Sequence, residues 1–393
     1  MSTKRIIFLI NLYTFCVGTV FVLPILVPYY QEELGLTFQD LMIGEAVFAS
    51  VIIAMEIPSG WLSDVWNRKY TLMVGSLCAV IGYMALMNAV GFWSALVSQA
   101  ILGIGVAFNS GTVTSILYDS LAEKGKEDLY QKLEGKRHGI GLYAVAIGAI
   151  SGGLLYQINP RLPLFLDIIT LLLAVICISL LQEPKRIKRR AQHHPVKDML
   201  ITMKYALYDH KEIAGIIIVS TILFATTKMF MWSQQPYMQL VDIPTKYFGY
   251  VMGFGFLLGG LIGHFGHKVK HSFSNRHTIM ALTCIPILSA ICAVLIPVKS
   301  SILFLLILPA VWGYGFPFVQ NAIQKHADPT RRATILSTLG LLISLVAIPM
   351  GLIIGYLDDV FSIRHSLGYL AIQLLILSSI GFYIWIRAKK TRS

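Results

Sequence analysis

Twelve apolar stretches, each long enough to cross a bilayer, run through this chain from end to end and leave almost no room for anything else. They cover approximately 6–30, 41–63, 70–91, 95–121, 139–158, 163–182, 212–239, 247–265, 277–297, 301–323, 335–357 and 365–387, numbered here as spans 1 to 12. A spanning helix needs roughly 20 apolar residues, because each residue rises about 1.5 Å and the hydrocarbon layer is about 30 Å thick. The chain has 393 residues, of which 56% are hydrophobic and 13% charged, against about 25% charged in an average soluble protein. Lipid must therefore be its solvent. In lipid each backbone polar group needs an internal partner, which a helix supplies to itself. The expectation is an all-α membrane protein with twelve transmembrane helices.

The formal charge of +12 is not a nucleic-acid signal, because the cations lie on one side. Of the 32 Lys and Arg residues, 27 fall in the termini and even-to-odd connections on one face; the opposite loops hold only Arg161, Lys246, Lys299 and Arg364. Positive charge is retained on the cytoplasmic side, so both termini are expected there, which also requires an even number of spans. The start, Lys4-Arg5 before an apolar run, is too long for a signal peptide and lacks a small-residue cleavage site, so it reads as an uncleaved first span. The five cysteines lie within spans without a Cys-x-x-Cys pair and read as packing residues. The histidines show no metal-ligand spacing, and no Ser, His and Asp combine as in a hydrolase. No Gly-x4-Gly-Lys-Ser/Thr loop is present, so ATP is not the driver. The expectation is no cofactor, no metal and no enzyme activity.

One polar, strongly basic stretch divides the spans six and six. The predicted organisation is a first six-helix bundle over 1–182, a cytoplasmic basic linker over 183–211 and a second bundle over 212–393. Within the linker, Val196, Met199, Leu200, Met203 and Leu207 recur at helical spacing between lysines, as in an amphipathic helix on the inner membrane face, held near anionic lipid. The two halves read as diverged copies. Gly60-x-Leu62-x-Asp64 recurs weakly as Gly263-x-Phe265-x-His267, and Gly103-Ile104-Gly105-Val106-Ala107-Phe108 recurs as Gly313-Tyr314-Gly315-Phe316-Pro317-Phe318. The glycine-x-glycine runs lie inside apolar spans with no preceding strand, so they point to close helix packing and not to nucleotide binding.

Between spans 2 and 3 the chain reads Gly60-Trp61-Leu62-Ser63-Asp64-Val65-Trp66-Asn67-Arg68-Lys69. It packs a glycine, an acid and two cations into one short turn, which brings two helix ends together. The run resembles the signature loop of the major facilitator superfamily of transporters, Gly-x-Leu-Ser/Ala-Asp-x-x-Gly/Asn-Arg-Arg/Lys, at every fixed position. The resemblance covers essentially the whole chain. It implies the major facilitator fold, two six-helix bundles, and transport by alternating access with helices 1, 4, 7 and 10 lining the cavity. It also implies a cytoplasmic gate of Gly60, Asp64, Arg68 and Lys69, with Asp119 of span 4 pairing with Arg68. Span 5 resembles the antiporter motif of exporting members, Gly139-x8-Gly148 followed by Gly152-Gly153, with Ala149 where that motif has proline. The exporter arginine four residues before Gly103 is replaced by Gln99, so coupling would fall to other groups.

Charge inside a span is costly and needs an explanation. Lys228 lies about 24 Å along span 7 from its start, followed by Trp232 and Gln235, and suits an organic anion; its alternatives are snorkelling outward or pairing with Glu45 or Asp167. Glu56, one to two turns inside the cytoplasmic end of span 2, is read as a buried acid able to take and release a proton, with Asp119 as a second coupling candidate. A structural hydrogen bond beneath the gate is the bland alternative for Glu56. Asn11, Asn109, Tyr118, Trp312, Tyr314, Gln320 and Asn321 complete the substrate-binding candidates, each equally able to bond a neighbouring helix. The expected function is proton-coupled export of a small amphipathic or anionic organic compound, such as a drug-like molecule or siderophore. The expected partners are that substrate, protons and membrane lipid, in a monomer of the bacterial inner (plasma) membrane, without nucleic acid. Proton-symport uptake is the first alternative and a membrane receptor that moves nothing the second.

Overall fold

The computed structural model describes residues 1–184, 201, 203–265, 274–328 and 332–390. Among them the chain is helical throughout, without strands, and twelve helical segments are long and apolar enough to cross a membrane. Span 1 is Thr3–Glu33, span 2 the helix Phe38–Val65, span 3 Arg68–Met87, span 4 Phe92–Ala122, span 5 Tyr130–Ile158 and span 6 Leu162–Ser179. Span 7 is Lys211–Trp232, span 8 Phe248–Phe265, span 9 Asn275–Leu295, span 10 Lys299–His326, span 11 Arg332–Val360 and span 12 Ile363–Lys390. Of the amphipathic stretch expected over 196–208, residues 196–200 and 202 lie outside the described residues, as does His267 of the weak repeat.

The spans start where the side chains can satisfy exposed N–H groups. Thr37 and Asp40 form a reciprocal capping box before span 2. Ser2 caps span 1, Asn67 span 3 and Ser274 span 9. Spans 1, 4, 7 and 10 share a further feature: each is interrupted. Span 1 stops at Gly18 and resumes as a 3-10 turn at Leu23–Ile25. Span 4 breaks between Asn109 and Thr112, where Gly111 adopts φ +69°. Span 7 pauses at Ser233 before Gln234–Leu240, and span 10 restarts at Leu308 with Pro309 in its first turn. Every third helix is thus a broken one, which is the pattern of three-helix repeats nested within each half. The carbonyls freed in spans 9 and 10 are taken up by side chains: Gln234 Nε2 donates to Leu305 O at 2.9 Å and Tyr237 Oη to Ala293 O at 2.7 Å.

Two compact units emerge. The first comprises Met1–Gln192 with Thr245–Gly253, the second His193–Pro244 with Phe254–Ser393. In the first, Ile10, Tyr13, Leu72, Ile116, Leu117, Ala174 and Ile178 pack into one core. Glycines let backbones approach: a Cβ on Gly75 would lie 2.9 Å from Gly105 O, and one on Gly103 2.8 Å from Phe48 O. The opening of span 8 joins this unit the same way, since a Cβ on Gly249 would lie 2.1 Å from Ala149 O. In the second, a Cβ on Gly313 would lie 2.2 Å from Gly259 O, and Gly215 makes room for the buried Trp385 ring.

Candidate functional site

The end of the first unit that carries the loop between spans 2 and 3 is tighter than the sequence suggests. Span 2 stays helical through Val65, so Gly60 and Asp64 sit on a helix and the turn shrinks to Trp66–Asn67. Gly60 has open space where a side chain would be, so close packing does not account for it. Asn67 accepts the Lys69 N–H at 3.1 Å. Arg68 Nη1 donates to Asp119 Oδ2, an ion pair between span 3 and the end of span 4. Glu183, just past span 6, then accepts the N–H groups of Arg68 (3.1 Å) and Lys69 (2.9 Å), while Lys69 Nζ reaches Ser179 O at 2.6 Å. A carboxylate on the free N–H groups of a helix start is favoured by both hydrogen bonding and the helix dipole. Sequence reasoning placed Glu183 in the linker and missed it. The available signal was an acid followed by Pro184, at the end of a span opposite a helix start.

A second ion pair lies beside the gate, where Arg137 Nε donates to Glu134 Oε2 at 2.8 Å and Thr114 Oγ1 donates to Glu134 at 3.1 Å. Tyr118 is 47% exposed and meets Tyr130 edge to face. Glu56 is exposed, not buried as its place in an apolar helix suggests. A carboxylate open to the surroundings at that depth must be reached by water, because lipid would not tolerate it.

Deeper in the unit, polar candidates bond to one another. Tyr13 Oη donates to Asn109 Oδ1 at 2.8 Å and lies 3.1 Å from Ser76 Oγ, tying spans 1, 3 and 4 together. Gln99, where exporting members carry arginine, donates to Tyr30 Oη at 3.1 Å. Asn11 is half-buried, and no hydrogen bond among the described residues engages its amide. Asp167 is occupied, since its two oxygens accept backbone N–H groups of Phe21 and Val22.

In the second unit, span 7 is buried on almost every side. The partly accessible residues of its long helix beyond the first turn are Ile218, Ile222, Lys228, Met231 and Trp232. At about 100° per residue Ile222, Ile218, Trp232 and Lys228 fall within an arc of about 120°, with Met231 about 60° beyond Lys228. Lys228 is the one cation there, and no hydrogen bond or ion pair among the described residues engages it. One turn earlier, the fully buried Phe224 meets Trp312 and Phe316 of span 10 edge to face, at 5.2 and 5.4 Å between centroids. Trp312 and Phe316 stack on each other at 5.6 Å. Lys228 follows Phe224 by one turn of the same helix. Tyr314 stacks on Phe318, Gln320 is half-buried and Asn321 exposed. Gln235 is fully buried and engaged within the protein. Among the described residues no three His, Cys, Asp or Glu side chains converge as a metal site would require.

Twelve helices long and apolar enough to cross a membrane mark a multi-pass membrane protein. Comparison gives the family: residues 7–348 match the model of the Major Facilitator Superfamily, and the chain belongs to it. The quinolone resistance protein NorA of Staphylococcus aureus is 25% identical over 189 residues, 47% of each chain, so this chain spans about half the length of those curated relatives. The class H tetracycline resistance protein of Pasteurella multocida is 23% identical over 363 residues, 88% of this chain and 85% of that one. Among solved structures the nucleoside transporter NupG superposes with a TM-score of 0.76 at 15% identity, covering 98% of this chain and 99% of its own. That likeness concerns the fold.

Proposed function

We propose that this transporter exports a small amphipathic organic anion, by alternating access, in exchange for protons. The observation that carries this reading is Lys228: a partly accessible cation on an otherwise buried helix, without a hydrogen-bond or ion-pair partner among the described residues, one helical turn after Phe224 of an aromatic cluster. A cation held away from protein carboxylates at that depth needs an anion from elsewhere. Aromatic rings add a surface for the apolar part of the cargo. The two resistance proteins among the relatives lend support to an exporter.

Energetics favour the same direction. Each charge crossing a membrane potential of 100 mV is worth about 2.3 kcal/mol. In a cell that is negative inside, an anion leaving and a proton entering both move down that potential. Glu56, exposed within its span, is the proposed proton carrier. Asp119, already paired with Arg68, serves the gate together with Lys69. Asn11, Trp232, Trp312 and Tyr314 are proposed as further cargo contacts. The one-sided cation distribution supports a cell-membrane location with both termini cytoplasmic. Uptake by proton symport is the second reading, favoured by Gln99 and Ala149 standing where exporters carry arginine and proline.

The test uses a fluorescent quinolone carboxylic acid as probe. In inside-out vesicles with an acidified lumen it accumulates, and collapsing the pH gradient releases it. Accumulation confined to right-side-out vesicles with acid outside would replace export with uptake.

A further inference from the structure

The break in span 1 is served by a group that the gate and the cargo site leave unused. Pro24 brings no N–H to the helix, and its ring excludes the carbonyl of the residue four before it. The helix therefore ends with Thr19, whose N–H and hydroxyl both donate to Phe15 O, at 2.9 and 2.7 Å. Phe21 and Val22 follow with N–H groups that would meet only hydrocarbon, at a cost of several kcal/mol each. Asp167, five residues into span 6 and 1% exposed, accepts both: Phe21 N–H on Oδ1 at 2.8 Å and Val22 N–H on Oδ2 at 3.0 Å. It acts as an N-cap supplied by another helix, at the dipole end where negative charge is favoured.

Span 5 shapes the other side of the break. A Cβ on Gly148 would lie 2.8 Å from Val20 N, and one on Gly152 would lie 1.9 Å from Phe21 O. The glycine pattern that resembles an exporter motif thus has a local task, to admit unwound backbone. Gly153 instead meets the opening of span 8, where its Cβ would lie 3.0 Å from Lys246 O.

Each arm of span 1 is anchored on its own. The inner arm, Thr3–Gly18, packs through Ile6, Leu9, Ile10 and Cys16 into the apolar core, and Tyr13 bonds to Asn109. The outer arm buries Ile25, Val27, Tyr29 and Tyr30 and is tied by hydrogen bonds: Tyr29 Oη to Leu86 O (3.3 Å), Gln99 to Tyr30 Oη (3.1 Å) and Tyr156 Oη to Glu32 (2.8 Å). The segment between these two anchors, with two of its backbone N–H groups held by a side chain instead of helix bonds, is where span 1 can bend.

We propose that Asp167 is a positioning residue for transport: with Gly148 and Gly152 it forms the seat of a hinge at residues 19–22, about which the outer arm of span 1 turns. The carboxylate holds the break open without a helix bond of its own, so each arm keeps its packing as the angle between them changes.

The isosteric variant Asp167→Asn keeps the shape but turns an amide NH2 toward one of the two N–H donors. In hydrogen exchange on the full-length protein in nanodiscs, amides of Phe21 and Val22 should exchange about 10–100-fold faster, while those of Ile6–Cys16 stay unchanged. Spin labels at Glu33, on the outer arm, and Gln182, beside the start of the inner arm, introduced as non-canonical residues, should pass from one narrow distance to a broad distribution. Should the Asn variant fail to fold, Gly148→Ala presses on the same backbone and should give the same two signatures. Unchanged exchange at Phe21 and Val22 would overturn the proposal. So would faster exchange with an unaltered distance distribution, because a residue that only stabilises the fold lowers the melting temperature and leaves the arm in place.

Discussion

The two halves of this transporter treat charge differently. In the first unit the buried and half-buried charges are answered: Arg68 by Asp119, Arg137 by Glu134, the N–H groups of Arg68 and Lys69 by Glu183, and those of Phe21 and Val22 by Asp167, while the exposed Glu56 stands apart. In the second, the breaks in the helices are served by neutral groups, Gln234 and Tyr237, and the cation inside span 7 is left unanswered. A paired charge holds structure; an unpaired one inside a membrane is a site waiting for a partner. On the function proposed above, the first unit carries gate and hinge and the second most of the cargo contacts.

The comparison can be broken at several points, beginning with the harshest. Gly152→Val puts a branched side chain where even a Cβ would lie 1.9 Å from Phe21 O, so folded protein should be lost from the membrane fraction in size-exclusion assays. Arg68→Ala leaves the Asp119 carboxylate stranded, with side-chain exposures of 12% and 19% across the pair, and should cost about 2–4 kcal/mol. Adding Asp119→Ala should recover most of that loss in thermal melts; no recovery would mean the pair is not the unit of stability. Glu183→Gln removes the charge at the start of span 3 and turns an amide NH2 toward one of the two N–H donors, for about 1–2 kcal/mol and a melting point lower by a few degrees. Glu56→Gln should leave the melting point where it is, because the exposed carboxylate has no bonded partner among the described residues, and should flatten the dependence of flux on external pH. A retained pH profile would move coupling to another acid.

The membrane architecture was legible because hydrophobic length is a one-dimensional signal. All twelve expected stretches correspond to helices, most with ends shifted by a few residues, as where span 2 runs to Val65 instead of 63; span 5 begins well before the expected 139, at Tyr130, and the stretch expected over 212–239 breaks after Trp232. The pairing of Arg68 with Asp119 could be expected from the resemblance of the loop, since it joins positions that a motif names. Asp167 could not, because it acts on backbone more than a hundred residues away and a backbone N–H leaves no trace in the sequence; Glu183 acts at similar range and left only the faint signal of an acid before Pro184. The exposure of Glu56 was misjudged for a related reason: hydropathy tells that a helix crosses lipid, not which of its faces meets water. The break at Ser110-Gly111 carried a turn signal, Gly111, but lay hidden inside an apolar run.

The division of labour rests on Lys228. The most direct measurement pairs initial flux of the quinolone carboxylic acid in proteoliposomes with thermal melts of the same preparations, comparing wild type with Lys228→Ala. Flux should fall by about a hundredfold, as expected when one partner of a desolvated charge pair is removed, while the melting temperature stays within a degree or two of wild type. Equal flux in the two proteins, or a lost fold in the variant, would contradict a cation kept for cargo.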